Sequence, residues 1–356
     1  MKKLSVCILF GGMSPEHEVS LRSAEAVLNH IDKEKYNVFP VGITKKGSWV
    51  LFTGTDYSML PTGEWEQYEG NRQATISPVR GQGLLSFEGD CVVREHIDVV
   101  FPVLHGENGE DGAIQGLLQL AGIAYVGPHV AASAVSMDKT LTKLVIDQAG
   151  IPQAAWHLVR AGELENRMER VLDAIEQRFE YPVFVKPAGT GSSVGVSKAR
   201  DRQQLQDALV CAAVYDEKIL VEEFIDGREI EVAVMGNEGP VASVCGEIDS
   251  GAEFYDYEAK YITDTSSAYI PARIDDDVAE QVREWAVRAY SALGCQGLSR
   301  VDFFVTHKDS KVVFNEINTL PGFTSISMYP KLFAASGIPY DQLIDRLVEL
   351  AVEAAR

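Results

Sequence analysis

The chain has 356 residues, 46% of them hydrophobic and 24% charged, which fits a soluble globular protein of about two or three domains. A net charge of −20 at pH 7 excludes a broad nucleic-acid-binding face, so any basic site must be local. Five scattered cysteines (Cys7, Cys91, Cys211, Cys245, Cys295), odd in number and without CxxC spacing, read as buried reduced thiols. No apolar run reaches the roughly 18 residues a membrane span needs, and the run at 4–10 is too short for a secretion signal. A cytoplasmic protein is the expectation.

In chain order, residues 4–10 predict a buried parallel strand, followed by Gly11-Gly12 and a helix over 18–31. Strands follow at 37–43 and 98–104, and this alternation predicts a doubly wound α/β unit. Residues 44–95 between them are polar and glycine-rich with weak strand signals, an irregular elaboration of that unit. Gly127-Pro128 marks the first boundary. A helix over 138–150 ends at a glycine with Pro152 beyond it. Strands near 155–159, 182–186, 196–198 and 218–224, with helices over 164–179 and 202–214, predict a small α+β unit. The rest reads as strands at 229–235 and 241–248, a polar loop at 249–267, a helix over 276–293, and a hairpin of 299–306 with 311–318.

That hairpin carries the strongest local pattern. Its turn centres near Asp309, and Asp302 and Glu316 each lie seven residues away, so simple register sets them opposite each other. Arg300 and Asn318 fall on the same face by alternation. Two carboxylates and an amide converging beside an arginine suit Mg²⁺; a solvated face with an arginine neutralising two acids is the other reading, and both stay open here. Lys186, at the end of a strand and before a Gly/Ser-rich loop over 187–195, can cover phosphates with backbone N–H groups, although a flexible hairpin loop has the same composition. The order differs from a P-loop. Gly11-Gly12 at a strand-to-helix turn makes an anion-friendly pocket without the spacing of a dinucleotide site. Glu18 in the following helical turn either complements the helix dipole or anchors a substrate ammonium. The stretch 105–112 ends the third strand at the edge where open α/β sheets bind ligands, with Asp111 as a cap for the next helix.

Taken together, these segments resemble the D-alanine–D-alanine ligases of the ATP-grasp superfamily. The resemblance spans essentially the whole chain, through FGGMSPEHEVSLRSA, VFPVLHGENGEDG, SMDKTLTK, VFVKPAGTGSSVGVSK, LVEEFIDGREIEV, FYDYEAKY, LSRVDFF and FNEINTLPGFTSIS, in that order. It implies an ATP-grasp architecture: an N-terminal α/β domain over 1–127 with an insertion at 44–95, a central subdomain over 128–222 and a C-terminal catalytic domain over 223–356, the last two clamping ATP.

The same resemblance implies roles. Lys139, Lys186 and Lys260 match residues that reach ATP, Glu222 the adenine-amino acceptor, Phe224 and Ile225 its neighbours, and Glu229 the ribose acid. Asp302, Glu316 and Asn318 match ligands of two Mg²⁺ ions, replaceable by Mn²⁺, and a monovalent cation is possible in the family. Glu18 matches the holder of the first D-alanine ammonium, with His105 nearby, and Arg300 with the Gly322 backbone matches the oxyanion-stabilising pair. Ser327 and Met328 stand near the second substrate, Met328 where several members carry leucine. Glu18, Ser192 and Tyr261 match a hydrogen-bonded triad that closes a loop, and 249–267 is the lid. D-alanine and ATP are the implied partners, with a homodimer as the assembly. The alternatives are a D-alanine–D-serine ligase of the same family and a non-catalytic nucleotide-binding module. Tyr261 disfavours a depsipeptide ligase.

Overall fold

A computed structural model describes residues 3–249 and 267–355. Its described strands form three sheets of eight, four and five strands.

The first sheet is built around β1 (Leu4–Gly11), paired in parallel with β2 (Tyr36–Ile43) on one side and β7 (Val99–Leu104) on the other. β1 is apolar at successive positions because both faces are covered. Val6, Ile8 and Phe10 enter one core, while Cys7 and Leu9 enter another. The first face is covered by α1 (His17–His30) through Leu21, Ala24, Val27 and Leu28. The C-terminal helix, Tyr340–Ala354, lays Leu343, Ile344, Leu347 and Val348 on that same core. The second face is covered by helix Ala113–Ala121 through Ile114, Leu118 and Ala121.

Residues 44–95 are more regular than their composition suggests. They contribute four antiparallel strands, β3 (Trp49–Leu51), β4 (Arg72–Ile76), β5 (Leu84–Glu88) and β6 (Cys91–Glu95), which with β8 (Ala124–Tyr125) beside β7 bring the first sheet to eight. Strands of three to five residues are too short for period-2 alternation to stand out. The segment also supplies Trp65, fully buried edge-on against Phe10 with ring centroids 5.1 Å apart. A Cβ on Gly42 would lie 2.3 Å from the Trp65 ring, so the indole needs that glycine.

The four-stranded sheet is antiparallel, in the order β11 (Ser197–Ala199), β10 (Val183–Pro187), β12 (Lys218–Glu223), β9 (Trp156–Arg160). Helices Ala161–Glu176 and Arg202–Ala212 cover it around Leu172, Ile175, Leu205 and Leu209. The five-stranded sheet runs β15 (Ser267–Tyr269), β14 (Val241–Asp249), β13 (Gly227–Met235), β16 (Leu298–Thr306), β17 (Val312–Asn318). Helix Asp276–Ala292 packs Val282, Ala286 and Ala289 on one face of it. Among the described residues, no helix is long and apolar enough to cross a membrane. The cysteines are all free, but only Cys7, Cys245 and Cys295 are buried; Cys91 and Cys211 are exposed on a strand and a helix. The expectation of five buried thiols is corrected to three, because scattered positions say nothing about which face each cysteine occupies.

Candidate active site

One cleft of about 1560 Å³ collects residues from all three sheets. Glu16, His105 and Glu110 reach it from the first unit, Lys139, Lys186, Ser192 and Glu222 from the second, and Glu229, Arg300, Glu316, Asn318 and Gly322 from the third.

The hairpin places Asp302 opposite Glu316 and Arg300 opposite Asn318, as counting from the turn predicts. The match depends on a bulge that the count does not contain: Phe303 pairs with Phe314, leaving Asn315 as an extra residue. A solvated face is excluded, because Asp302 is 1% exposed. Arg300 Nε and Nη2 each donate to an oxygen of Asp302 at 2.8 Å, and Asn318 Nδ2 donates to Asp302 Oδ2 at 3.0 Å. Arg300 Nε also lies 3.2 Å from Glu231 Oε2. Among the described residues no three His, Cys, Asp or Glu side chains form a ready-made metal nest. Two carboxylates and an amide are nonetheless an all-oxygen donor set, which fits a hard divalent cation that keeps positions open for phosphate oxygens.

At the other wall, Glu222 is held between two lysines, Lys143 Nζ at 2.5 Å from Oε1 and Lys186 Nζ at 2.6 Å from Oε2. Burial would raise this carboxyl, but the two ammonium groups hold it down at about 2. Phe224 stands beside it, with Lys198 Nζ 4.0 Å from its ring centroid, and Ile225 follows in the cleft lining. Lys139 opens helix Lys139–Gln148 and donates from Nζ to the Thr190 carbonyl at 2.5 Å, tying that helix to the Gly/Ser-rich loop. In this loop Ser192 and Ser193 take positive φ values of 48° and 58°, a conformation side chains disfavour.

Ser192 uses that conformation to donate its hydroxyl to Glu16 Oε1. This corrects the expectation for Glu18. The Glu18 side chain is 52% exposed, paired with Lys45, and is absent from the cleft lining. Helix α1 begins at His17, so Glu16 is the cap residue at the mouth of β1, while Glu18 falls inside the first turn. Glu16 is wedged between two glycine-bearing loops: a Cβ at Gly106 would lie 2.5 Å from Oε2, and one at Gly191 would lie 3.1 Å away. The glycine pair also differs from expectation. Gly11 N–H donates to Ser20 Oγ and Gly12 N–H to the Ile43 carbonyl, each at 2.8 Å, so neither is offered to an anion.

The segment bearing Gly322 is pinned by the first unit. Glu110 Oε1 accepts the Leu320 N–H at 3.0 Å, and its Oε2 accepts the Gly106 N–H at 2.8 Å. His105 Nδ1 lies 3.0 Å from the Leu320 carbonyl, and Ser23 Oγ accepts the Phe323 N–H at 3.2 Å. Burial, then the Glu16 charge, push the Glu110 carboxyl up to about 8. Burial pushes His105 down, keeping its imidazole neutral. Ser327 Oγ accepts the Thr324 N–H at 3.0 Å, and a Cβ on Gly322 would meet that oxygen at 2.8 Å. Met328 is buried against Gly246 and also lines the cleft. Asp111 Oδ1 accepts the Ala113 N–H at the start of helix Ala113–Ala121, from the position before the cap residue, which is Gly112 rather than Asp111. Tyr261, Lys260 and all but the first and last residues of 249–267 lie outside the described residues.

The family model described as "D-ala D-ala ligase N-terminus" matches residues 5–128, and "D-ala D-ala ligase C-terminus" matches 145–349. The chain belongs to the D-alanine–D-alanine ligase family. It is 51% identical to the D-alanine–D-alanine ligase of Acetivibrio thermocellus, covering 99% of this chain and 96% of that one. It is 50% identical to that of Caldicellulosiruptor bescii, covering 100% and 97%. Among solved structures, it is similar to the VanG D-Ala:D-Ser ligase of Enterococcus faecalis (TM-score 0.89, 38% identity, 98% and 100% covered). It is also similar to the D-alanine–D-alanine ligase of Coxiella burnetii (TM-score 0.84, 37% identity, 99% and 96% covered). The architecture is therefore the ATP-grasp fold of this family.

Sequence reasoning missed Glu16, Glu110, Lys143 and Glu231. Glu16 stands in the same motif as Glu18, and only the position of the helix start separates them. The partner that ties Glu110 Oε1 to the third unit is 210 residues away, and the Lys143 partner 79, so neither residue signals its role locally.

Proposed function

We propose that the protein joins two D-alanines into D-alanyl-D-alanine for cell-wall precursor synthesis in the cytoplasm, using ATP and passing through D-alanyl phosphate. The observation that carries this reading is the convergence, in one cleft, of Glu316 and Asn318 from the hairpin, Lys139 and Lys186, and the Glu16–Ser192 pair.

A carboxylate is a poor electrophile, so the γ-phosphoryl of ATP is first transferred to the carboxylate of D-alanine. Lys139 and Lys186 offset charge on that group. Asp302, Glu316 and Asn318 would hold two Mg²⁺ ions, or Mn²⁺ in their place, and these supply further neutralisation of phosphate charge when bound. Glu222, Phe224 and Ile225 take the adenine and Glu229 the ribose. Glu16, in place of Glu18, receives the ammonium of the first D-alanine, with neutral His105 beside it. The second D-alanine sits by Ser327 and Met328, and its amine, after losing a proton, attacks the acyl carbon and expels phosphate. The tetrahedral oxyanion is held by Arg300 and the Gly322 N–H. Ser192 and Tyr261 act with Glu16 to exclude water that would hydrolyse the acyl-phosphate. A homodimer and a monovalent-cation requirement belong to the same reading.

The test is phosphate release with D-alanine alone, then with D-serine or D-lactate added. D-alanyl-D-alanine should form, and D-alanyl-D-lactate should be negligible at neutral pH, because the expected loop residue Tyr261 is uncharged there. Faster D-alanyl-D-serine synthesis would favour the second reading, which the likeness to the Enterococcus faecalis structure supports. No phosphate release with any of them would overturn both.

A further inference from the structure

Glu222 has two counter-charges of different standing. Lys186 is on β10 and faces the cleft with its side chain 17% exposed, whereas Lys143 is on helix Lys139–Gln148 and only 3% exposed. Lys143 is not part of the cleft lining; it sits behind Glu222, at a pocket of about 10 Å³ that has room for about one water. Among the described residues its one ion pair is with Glu222 Oε1. A buried carboxylate stripped of its partner is strongly destabilised. If Lys186 were the lone counter-charge, moving it onto a polyphosphate would strand Glu222. It would then be held back by the very residue that receives the base.

We infer that Lys143 is a positioning residue, the standing counter-charge of Glu222 that releases Lys186 to the phosphates of the bound nucleotide. This rests on the reading of the cleft as an ATP site. Lys143 does not touch the nucleotide. Its effect is to uncouple binding of the base, at Glu222, from binding of the phosphates, at Lys186.

The inference separates phosphate binding from base binding, so the test compares ATP with adenosine. Dissociation constants for both are measured by calorimetry at fixed Mg²⁺ on the full chain and on Lys143→Met. In the unaltered protein ATP should bind far more tightly than adenosine. In Lys143→Met that ratio should fall by about tenfold or more, with adenosine affinity within about threefold of the original. An unchanged ratio, or an equal loss for both ligands, overturns the proposal, because a general packing role would weaken them together. The second comparison removes the charge itself: Glu222→Gln with and without Lys143→Met. With no carboxylate to compensate, the two should show the same ratio within about threefold; a further fall on removing Lys143 overturns the proposal. This pair also decides the matter if Lys143→Met alone does not fold. Failure of the underlying reading looks different, because the unaltered protein would then show no preference for ATP over adenosine.

Discussion

Ser192 donates its hydroxyl to Glu16, joining two residues 176 positions apart. The bond closes the Gly/Ser-rich loop of the second unit onto the mouth of β1 in the first. Two glycines, Gly106 and Gly191, leave the room in which the Glu16 carboxylate lies. Two acids in one short motif therefore have unlike environments, one walled into the cleft and the other in solvent beside Lys45.

Glu16→Gln should lower turnover by about tenfold to a hundredfold, the scale of one hydrogen bond to a charged group. Glu18→Gln should stay within about twofold, since an exposed ion pair contributes little. Steady-state rates of phosphate release on the two variants check this, and a larger loss at Glu18 would restore that residue to the site.

Glu316→Gln should cut turnover by ~10²-fold or more while leaving the melting temperature nearly unchanged, as a ligand that acts in the transition state would. Assaying both with excess Mg²⁺ separates the two effects. A variant that loses stability as steeply as activity would make the hairpin carboxylates structural.

Gly322→Ala places a methyl 2.8 Å from Ser327 Oγ, so either that hydroxyl or the backbone bearing the proposed oxyanion donor has to shift. Loss of one such donor costs about 10²–10³ in turnover. ATP affinity should be unchanged, because the nucleotide's residues are elsewhere, and a nucleotide-binding titration alongside the rate assay measures both.

Glu222 titrates at about 2 in the folded chain against an ordinary 4.5. Between those values the unfolded chain takes up a proton that the folded chain does not. The stability this group contributes is therefore fully present above pH 4.5 and is lost as pH falls toward 2. Urea unfolding across that window should give a shallower pH slope for Glu222→Gln than for the unaltered protein. An equal slope would mean that Glu222 takes up its proton over the same pH range folded as unfolded.

Trp65→Ala should destabilise the first unit by about 3–5 kcal/mol, the range for emptying a large buried aromatic site. Denaturant unfolding measures this. A loss below ~1 kcal/mol would mean that residues 44–95 are an appendage rather than part of the core.

The residues alone determined what local periodicity and pairing can carry. The unbroken apolar run of β1 read as a strand covered on both faces, and its alternate residues do enter two different cores. Turn-centred counting set Asp302 against Glu316, because a hairpin's register follows from its own turn, with the bulge at Asn315 absorbing the odd residue. The order of motifs along the chain carried the family.

Tertiary structure decided the rest. Whether Glu16 or Glu18 faces the cleft turns on where α1 begins, and the entry of the chain into that helix depends on packing against β1 and the loop at 105–112. The strands within 44–95 are too short to be seen in isolation and are stabilised by pairing outward from β2. The C-terminal helix covers the first sheet, more than three hundred residues from β1, through a stripe that shows only that it must be buried somewhere. Lys143 and Glu110 likewise do not show their cross-unit partners locally, because the charge of one and the Oε1 of the other are satisfied by residues that only the folded chain brings near. A buried charge takes its meaning from its partner, and the partner is set by the packing of distant elements.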